Sequence, residues 1–202
     1  YDELVHVPYG TVSINGSKLA TRTGNVILLR DLFAEAISRV YDIAKEKHPD
    51  DAECRAIAEK VGVGAIVFYY LSNNRMRDIN FMMEDALSFD GNTGPYVQYT
   101  YARTCSVLAK SPEYDKNAVL KITSPDETSL LKTLSRFGEC VVGAIRDYEP
   151  SEITRYILDV ATAFNRFYHE CSIMNAEHEV TKATRIALVK ATNYVLGSAL
   201  PL

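Results

Sequence analysis

Cysteine is scarce and scattered: Cys54, Cys105, Cys140 and Cys171 stand apart, with no C-x-x-C pair among them. The four histidines are equally dispersed. A zinc site needs clustered thiolate and imidazole ligands, so neither spacing points to one. Scattered thiols fit a reducing compartment, and a cytoplasmic location is expected. No apolar run reaches the roughly 18 residues of a membrane span, and no signal-peptide pattern opens the sequence. The chain starts at Tyr1 without Met, just before an apolar stretch from Leu4 to Tyr9, and is expected to be a piece of a longer protein. Internal repeats and low-complexity segments are also lacking. Charge of one sign does not dominate either: the net charge is −4. A nucleic-acid partner would therefore be held by a local patch and by stacking, not by a global basic field. Neither DNA nor a membrane is an expected partner.

What is present is a globular composition. The 202 residues are 47% apolar with charge mixed along their length, enough for one large domain or two small ones. Residues 4–13 are rich in Val and Thr and read as β-like, broken by Pro8 and Gly10. Asn15-Gly16 is a hairpin turn signal, and residues 17–29 read as an exposed loop. From about residue 31 the period changes, with Leu32, Ala36, Val40 and Ala44 recurring every four residues on one helix face. His48-Pro49-Asp50-Asp51 ends that helix and starts another over 51–72, loosened by Gly62 and Gly64. Residues 73–94 read as irregular, apart from a short helix near Glu84 to Leu87. The cluster Gly91 to Pro95 leads into a helix over 95–110, with Asn92 and Thr93 as its cap. Ser124-Pro125-Asp126-Glu127 forms a capping box. Three helices are predicted after it, at about 125–147, 151–170 and 180–198, with Glu149-Pro150 separating the first two. The expected fold class is mainly α: a small β remnant, a helical connector, and an antiparallel helical bundle. A boundary is placed near residue 95, dividing 1–94 from 95–202.

Two stretches carry chemistry. Lys18-Leu19-Ala20-Thr21-Arg22-Thr23-Gly24-Asn25 packs cations, hydroxyls and a glycine into eight residues. Such a loop suits a polyphosphate: Lys18 and Arg22 neutralise oxygens, Thr21 donates, and Gly24 lets the backbone approach. A solvated turn has the same composition, and composition alone does not separate the two. The second stretch is Tyr96-Val97-Gln98-Tyr99-Thr100-Tyr101-Ala102-Arg103. Tyr96, Tyr99 and Arg103 fall at i, i+3 and i+7 and share a helix face. Two phenols and a guanidinium can stack unpaired bases and hold a phosphate, or the tyrosines can be core residues with satisfied hydroxyls.

The first loop, preceded by His6-Val7-Pro8-Tyr9-Gly10, resembles the KMSKS segment of class I aminoacyl-tRNA synthetases, and most closely its arginyl form, which reads like KMSTRxGN. Thr21 stands where the general pattern has its second lysine, a departure the arginyl family shares. Leu71 to Asp78 resembles that family's LSNNRxxD stretch, and Leu87 to Tyr96 its LSFEGNTxPY stretch. The run from Tyr96 resembles the start of the DALR anticodon-binding domain. The resemblance continues through Ala163-Phe164-Asn165-Arg166-Phe167-Tyr168-His169 and Arg185 to Thr192.

The resemblance implies a C-terminal part of a ligase that activates arginine with ATP and transfers it to tRNA(Arg). Lys18, Thr21, Arg22 and Gly24 would serve ATP, with Mg2+ accompanying the nucleotide, and Lys18 and Arg22 would assist the chemistry. Tyr96, Tyr99, Arg103, Phe164 and Tyr168 would approach the anticodon loop. His169 reads as a helix C-terminal cation, and Arg75 and Arg77 as surface charges or tRNA contacts. The HIGH-type motif that completes a class I site does not occur in the sequence, so the piece alone is expected to be inactive. The alternatives are another class I synthetase, such as a cysteinyl enzyme, and a helical interaction module without an RNA role. The LSNNR and GNTGPYVQY motifs argue against the cysteinyl reading.

Overall fold

The computed structural model describes residues 4–18, 27–46, 50–112 and 117–202. Three short strands and eight helices are ordered along the described chain: β1 Val12–Ile14, β2 Ser17–Lys18, α1 Leu29–Lys45, α2 Asp51–Leu71, β3 Ile79–Phe81, α3 Met83–Leu87, α4 Gly94–Lys110, α5 Pro125–Ser135, α6 Phe137–Asp147, α7 Ser151–Glu170 and α8 Glu179–Ala199. The expected mainly α class is what is observed. The chain divides into two compact units. One holds the described residues up to Tyr96 together with Ala144–Thr154, and the other holds Val97–Gly143 and Arg155–Leu202.

In the first unit, Asn15 (φ 50°) and Gly16 (φ 74°) make the two-residue hairpin turn that the Asn-Gly signal predicts. The turn joins β1 to β2 in antiparallel register, with Ser13 opposite Lys18. The third strand was not expected, because residues 73–94 read as irregular. β3 pairs with β1 in parallel, giving the order β2-β1-β3. A three-residue strand has no periodicity of its own to read. It exists because Phe81 is fully buried beside Tyr69 and Tyr70, stacked on the latter at 5.4 Å.

Helix α1 buries Leu32, Ala36, Val40 and Ala44, the four residues whose spacing announces it, against α2. Asp50 caps α2 by accepting from the Glu53 N–H at 2.8 Å. Gly62 does not loosen α2, which runs unbroken. A Cβ there would lie 3.0 Å from the backbone nitrogen of Ile37, so glycine is what lets the two helices approach. Thr93 caps α4, its Oγ1 accepting from the Tyr96 N–H at 3.3 Å.

The end of α6 also belongs to the first unit. Tyr148 takes a left-handed conformation (φ 51°), its N–H reaches Ile145 O, and the Glu149 N–H reaches Ala144 O at 3.0 Å. That is the Schellman pattern, with tyrosine where glycine is customary. Arg75 completes it. Its guanidinium donates to the carbonyls of Tyr148 (3.0 Å), Asp147 (3.4 Å) and Pro8 (3.0 Å). Glu149 binds back to Asn74 Nδ2 at 2.8 Å.

In the second unit the capping box is present in full. Ser124 accepts from the Glu127 N–H, and Glu127 accepts from the Ser124 N–H. The single helix expected over 125–147 is instead two. Arg136 breaks it, with φ −85° and ψ 0°, its N–H turning to Thr133 O. The reason is tertiary. The Tyr156 hydroxyl, from α7, donates to Leu134 O at 3.2 Å and takes the carbonyl that a continuing helix would use. Phe137 stacks on the Tyr156 ring at 5.9 Å, and burial raises the Tyr156 phenol to about 12. The core of this unit gathers Val97, Leu130, Ile157, Val160, Phe164, Phe167, Val189 and Leu196. Among the described residues no helix is long and apolar enough to cross a membrane.

Candidate nucleic-acid interface

Beyond Tyr96, helix α4 buries Val97, Thr100 and Thr104 completely, which turns Tyr99 and Arg103 to the margin of the second unit. Helix α7 buries Ile157, Val160, Ala161, Phe164 and Phe167. Asn165 and Tyr168, one residue past the last two, are thereby set at its edge. The two margins meet at Arg103. Its guanidinium carbon lies 4.9 Å from the Tyr99 ring centre and 5.0 Å from that of Tyr168. One terminal nitrogen donates to Asn165 Oδ1 and the other to the Tyr99 hydroxyl at 3.3 Å. Asn165 Nδ2 donates in turn to the buried Thr100 hydroxyl at 3.0 Å.

A buried hydroxyl thus orients an amide, the amide orients a guanidinium, and the guanidinium stands against two phenol rings. Cation–π attraction holds this arrangement without covering it: Tyr99 remains 56% exposed and Tyr168 41%. Beside it opens a cleft of about 350 Å³, lined by Arg103, Val107 and Lys110 of α4, by Tyr168, and by Ile173 and Met174 after α7. Among the described residues that line it, none is acidic. Exposed rings next to cations and an apolar wall suit an unpaired base with its phosphate.

Tyr99, Arg103 and Tyr168 are therefore brought together. Phe164, expected among the rings that approach RNA, is fully buried. It stacks behind Tyr168 at 6.0 Å and packs on Phe167 at 6.1 Å. Its three-to-four spacing with Ile157 and Val160 puts it on the core face, so it supports an exposed ring and offers none itself. Tyr96 is half-buried one helical turn before Tyr99 and belongs to the first unit. Asn165 was missed as a functional position. An uncharged amide set between Phe164 and Arg166 in the AFNRF run is the signal that marks it. His169, in the last turn of α7, contacts the Glu170 carboxylate at 3.0 Å.

Of the loop residues, Lys18 enters through its backbone, paired with Ser13 in β2. Thr21, Arg22 and Gly24 lie outside the described residues. Arg75, read as a surface charge or a tRNA contact, is held within the first unit. Its guanidinium is committed to three carbonyls within the first unit. Among the described residues no group of three or more His, Cys, Asp or Glu side chains is placed to hold a metal ion.

Comparison with known proteins matches both units. Residues 1–83 fit the family of tRNA synthetases class I (R), catalytic domain, and residues 97–202 the DALR anticodon binding domain family. An arginine–tRNA ligase of Clostridium perfringens is 47% identical over 199 residues, 97% of this chain and 35% of the relative. One from Clostridium kluyveri is 45% identical over 205 residues, covering 100% of this chain and 36% of the relative. The chain thus spans about a third of the length of the relatives it matches. Among solved structures, an arginyl-tRNA synthetase of Thermus thermophilus superposes with a TM-score of 0.88 at 30% identity, over 97% of this chain and 34% of that one. The Plasmodium falciparum arginyl-tRNA synthetase shares the fold, with a TM-score of 0.80 at 24% identity over 97% of this chain and 33% of that one. These matches place this chain in the arginyl family of class I tRNA synthetases, with part of the catalytic domain followed by a DALR anticodon binding domain.

Proposed function

We propose that this chain is the part of a cytoplasmic arginine–tRNA ligase that carries the ATP-side loop in residues 1–94 and reads the tRNA(Arg) anticodon with residues 95–202. The observation that carries the reading is the placing of Arg103 between two exposed phenols, beside a cleft that Arg103 and Lys110 line, in the segment matched to an anticodon-binding family. Tyr99 and Tyr168 stack exposed bases, Arg103 and Lys110 meet the accompanying phosphates, Tyr96 offers a further ring to the RNA, and Phe164 backs Tyr168.

In the complete ligase, arginine's carboxylate attacks the α-phosphorus of ATP and pyrophosphate leaves. Lys18 and Arg22 stabilise the charge that builds on the leaving phosphates, while Thr21 and Gly24 supply a hydroxyl and close backbone approach. A magnesium ion would arrive held mainly by the nucleotide's phosphates.

Two measurements test this. Equilibrium binding of the complete ligase to a panel of tRNA isoacceptors is expected to favour tRNA(Arg) and to weaken with added salt. Equal affinity for tRNA(Cys), or binding indifferent to salt, overturns it. Lys18→Ala is expected to slow adenylate formation, measured by ATP–pyrophosphate exchange, far more than it weakens tRNA binding. Equal loss in both defeats the phosphate role of the loop. The chain by itself is expected to form no arginyl-tRNA.

A further inference from the structure

The hairpin that carries Lys18 is very small. β2 has two residues and β1 three, too few pairings to hold a hairpin steady in water. Something else fixes it, and the hydrogen bonds identify Asn80, 62 residues further along the chain. Asn80 is the central residue of β3 and lies opposite Ser13 in the parallel register. Its backbone carbonyl accepts from the Tyr69 hydroxyl at 2.9 Å, which ties the strand to helix α2. Its side-chain oxygen accepts twice: from the Gly16 N–H at 2.7 Å and from the Ser13 hydroxyl at 3.2 Å. Ser13 is also the residue that Lys18 faces across the hairpin. One amide oxygen therefore grips both the turn and the strand opposite Lys18. A neighbouring bond from the Asn15 N–H to Phe81 O at 3.1 Å holds the turn to the end of the same strand.

We propose that Asn80 is a positioning residue for the nucleotide loop, setting where Lys18 leaves the sheet. The inference rests on the reading of that loop as the ATP-phosphate segment. Asn80 acts through Gly16 and Ser13, not by touching the nucleotide. What matters is its acceptor oxygen, so aspartate at this position keeps the function and alanine loses it. A hairpin that is less firmly placed brings the loop's cations to the phosphates less often. Misplacement on the scale of an ångström is enough to slow such chemistry by up to about a hundredfold.

The test uses the complete ligase with saturating arginine and tRNA, comparing Asn80→Ala, Asn80→Asp and Lys18→Ala. Asn80→Ala is expected to lower the kcat of ATP–pyrophosphate exchange by about tenfold or more, with tRNA Kd and thermal midpoint within twofold and a few degrees of the parent. Asn80→Asp is expected to recover most of that rate. Exchange by Asn80→Ala at the parental rate while Lys18→Ala is slow overturns the role of Asn80 and leaves the loop reading standing. Parental rates in both variants overturn the two together. An Asn80→Asp enzyme as slow as Asn80→Ala, or a parallel loss of tRNA binding in Asn80→Ala, also refutes the proposal, since either would mean general damage and not a lost acceptor.

Discussion

Arg185 donates from Nε to Oε1 of Glu127 at 2.8 Å, and the glutamate it reaches is wholly inaccessible to solvent. The pair spans 58 residues and joins α8 to the first turn of α5. Arg185 also holds Ser172 O at 2.6 Å, so the segment after α7 that lines the candidate cleft is fastened to the same guanidinium. Glu127 accepts in addition from the N–H groups of Thr123 and Ser124 at 2.6 and 3.1 Å.

Stability should therefore fall in acid through this group. Burial on its own raises the Glu127 carboxyl, but the bonds from Arg185, Thr123 and Ser124 outweigh it and hold it below the ordinary glutamate range. With the folded value below the unfolded one, the stabilisation is complete above the unfolded value, about 4.3. It is lost as pH falls through the folded value. Glu127→Gln is expected to remove this acid-sensitive component and to cost about 3 kcal/mol at neutral pH, because Arg185 loses its charge partner. Urea unfolding at a series of pH values checks both; an acid limb unchanged in the variant would refute the assignment.

Neighbouring rings on α7 should separate binding from folding. Tyr168→Ala is expected to weaken tRNA binding by about 1–3 kcal/mol, the value of one lost stack, with little effect on the thermal midpoint. Phe164→Ala, at a fully buried position, is expected to cost about 3–5 kcal/mol of folding stability instead. Filter binding and calorimetry on the two variants decide. The reverse pattern would place the RNA contact on the wrong ring.

Arg103→Lys keeps the charge and loses the flat fork that reaches Asn165 while facing two phenols. tRNA affinity is expected to fall by about 1–2 kcal/mol. The slope of log affinity against log salt should stay as it was, because the number of cations is the same. A reduced slope with little loss of affinity would mean that Arg103 serves only as a phosphate counter-charge.

Tyr148 occupies a left-handed position that costs a non-glycine residue about 1–2 kcal/mol. Tyr148→Gly is expected to raise stability slightly or leave it level, the relief being offset in part by the freer unfolded chain. Arg75→Ala is expected to lower it by about 2–3 kcal/mol, since charge-assisted bonds to the carbonyls at this helix end disappear. Denaturant titration of both variants measures the contrast. A neutral Arg75→Ala would return that residue to the surface-charge reading.

How much of this was legible in the residues depended on range. The Asn15-Gly16 turn, the Thr93 and Ser124 caps and the four-residue spacing in α1 are all complete within a few positions, and each appears where its pattern lies. Tyr99 and Arg103 could be placed together for the same reason, being one helical turn apart. β3 could not, since three residues become a strand only when β1 lies alongside. Nor could the break at Arg136, which depends on a hydroxyl from another helix.

The sequence by itself determined that this is a mainly helical member of the arginyl class I tRNA synthetase family, where its capped helices α4 and α5 begin, and that Tyr99 and Arg103 share a face of α4. Helix periods, caps and turns are local physics, written in neighbouring side chains. Tertiary structure decided that Phe164 is inside and Tyr168 outside, that Asn165 aims Arg103 across 62 residues, that Arg75 is spent on carbonyls, and that Asn80 holds the hairpin. Each of those is a hydrogen bond or burial between segments far apart in the chain, and a side chain's surroundings at that distance exist only once the chain has closed upon itself.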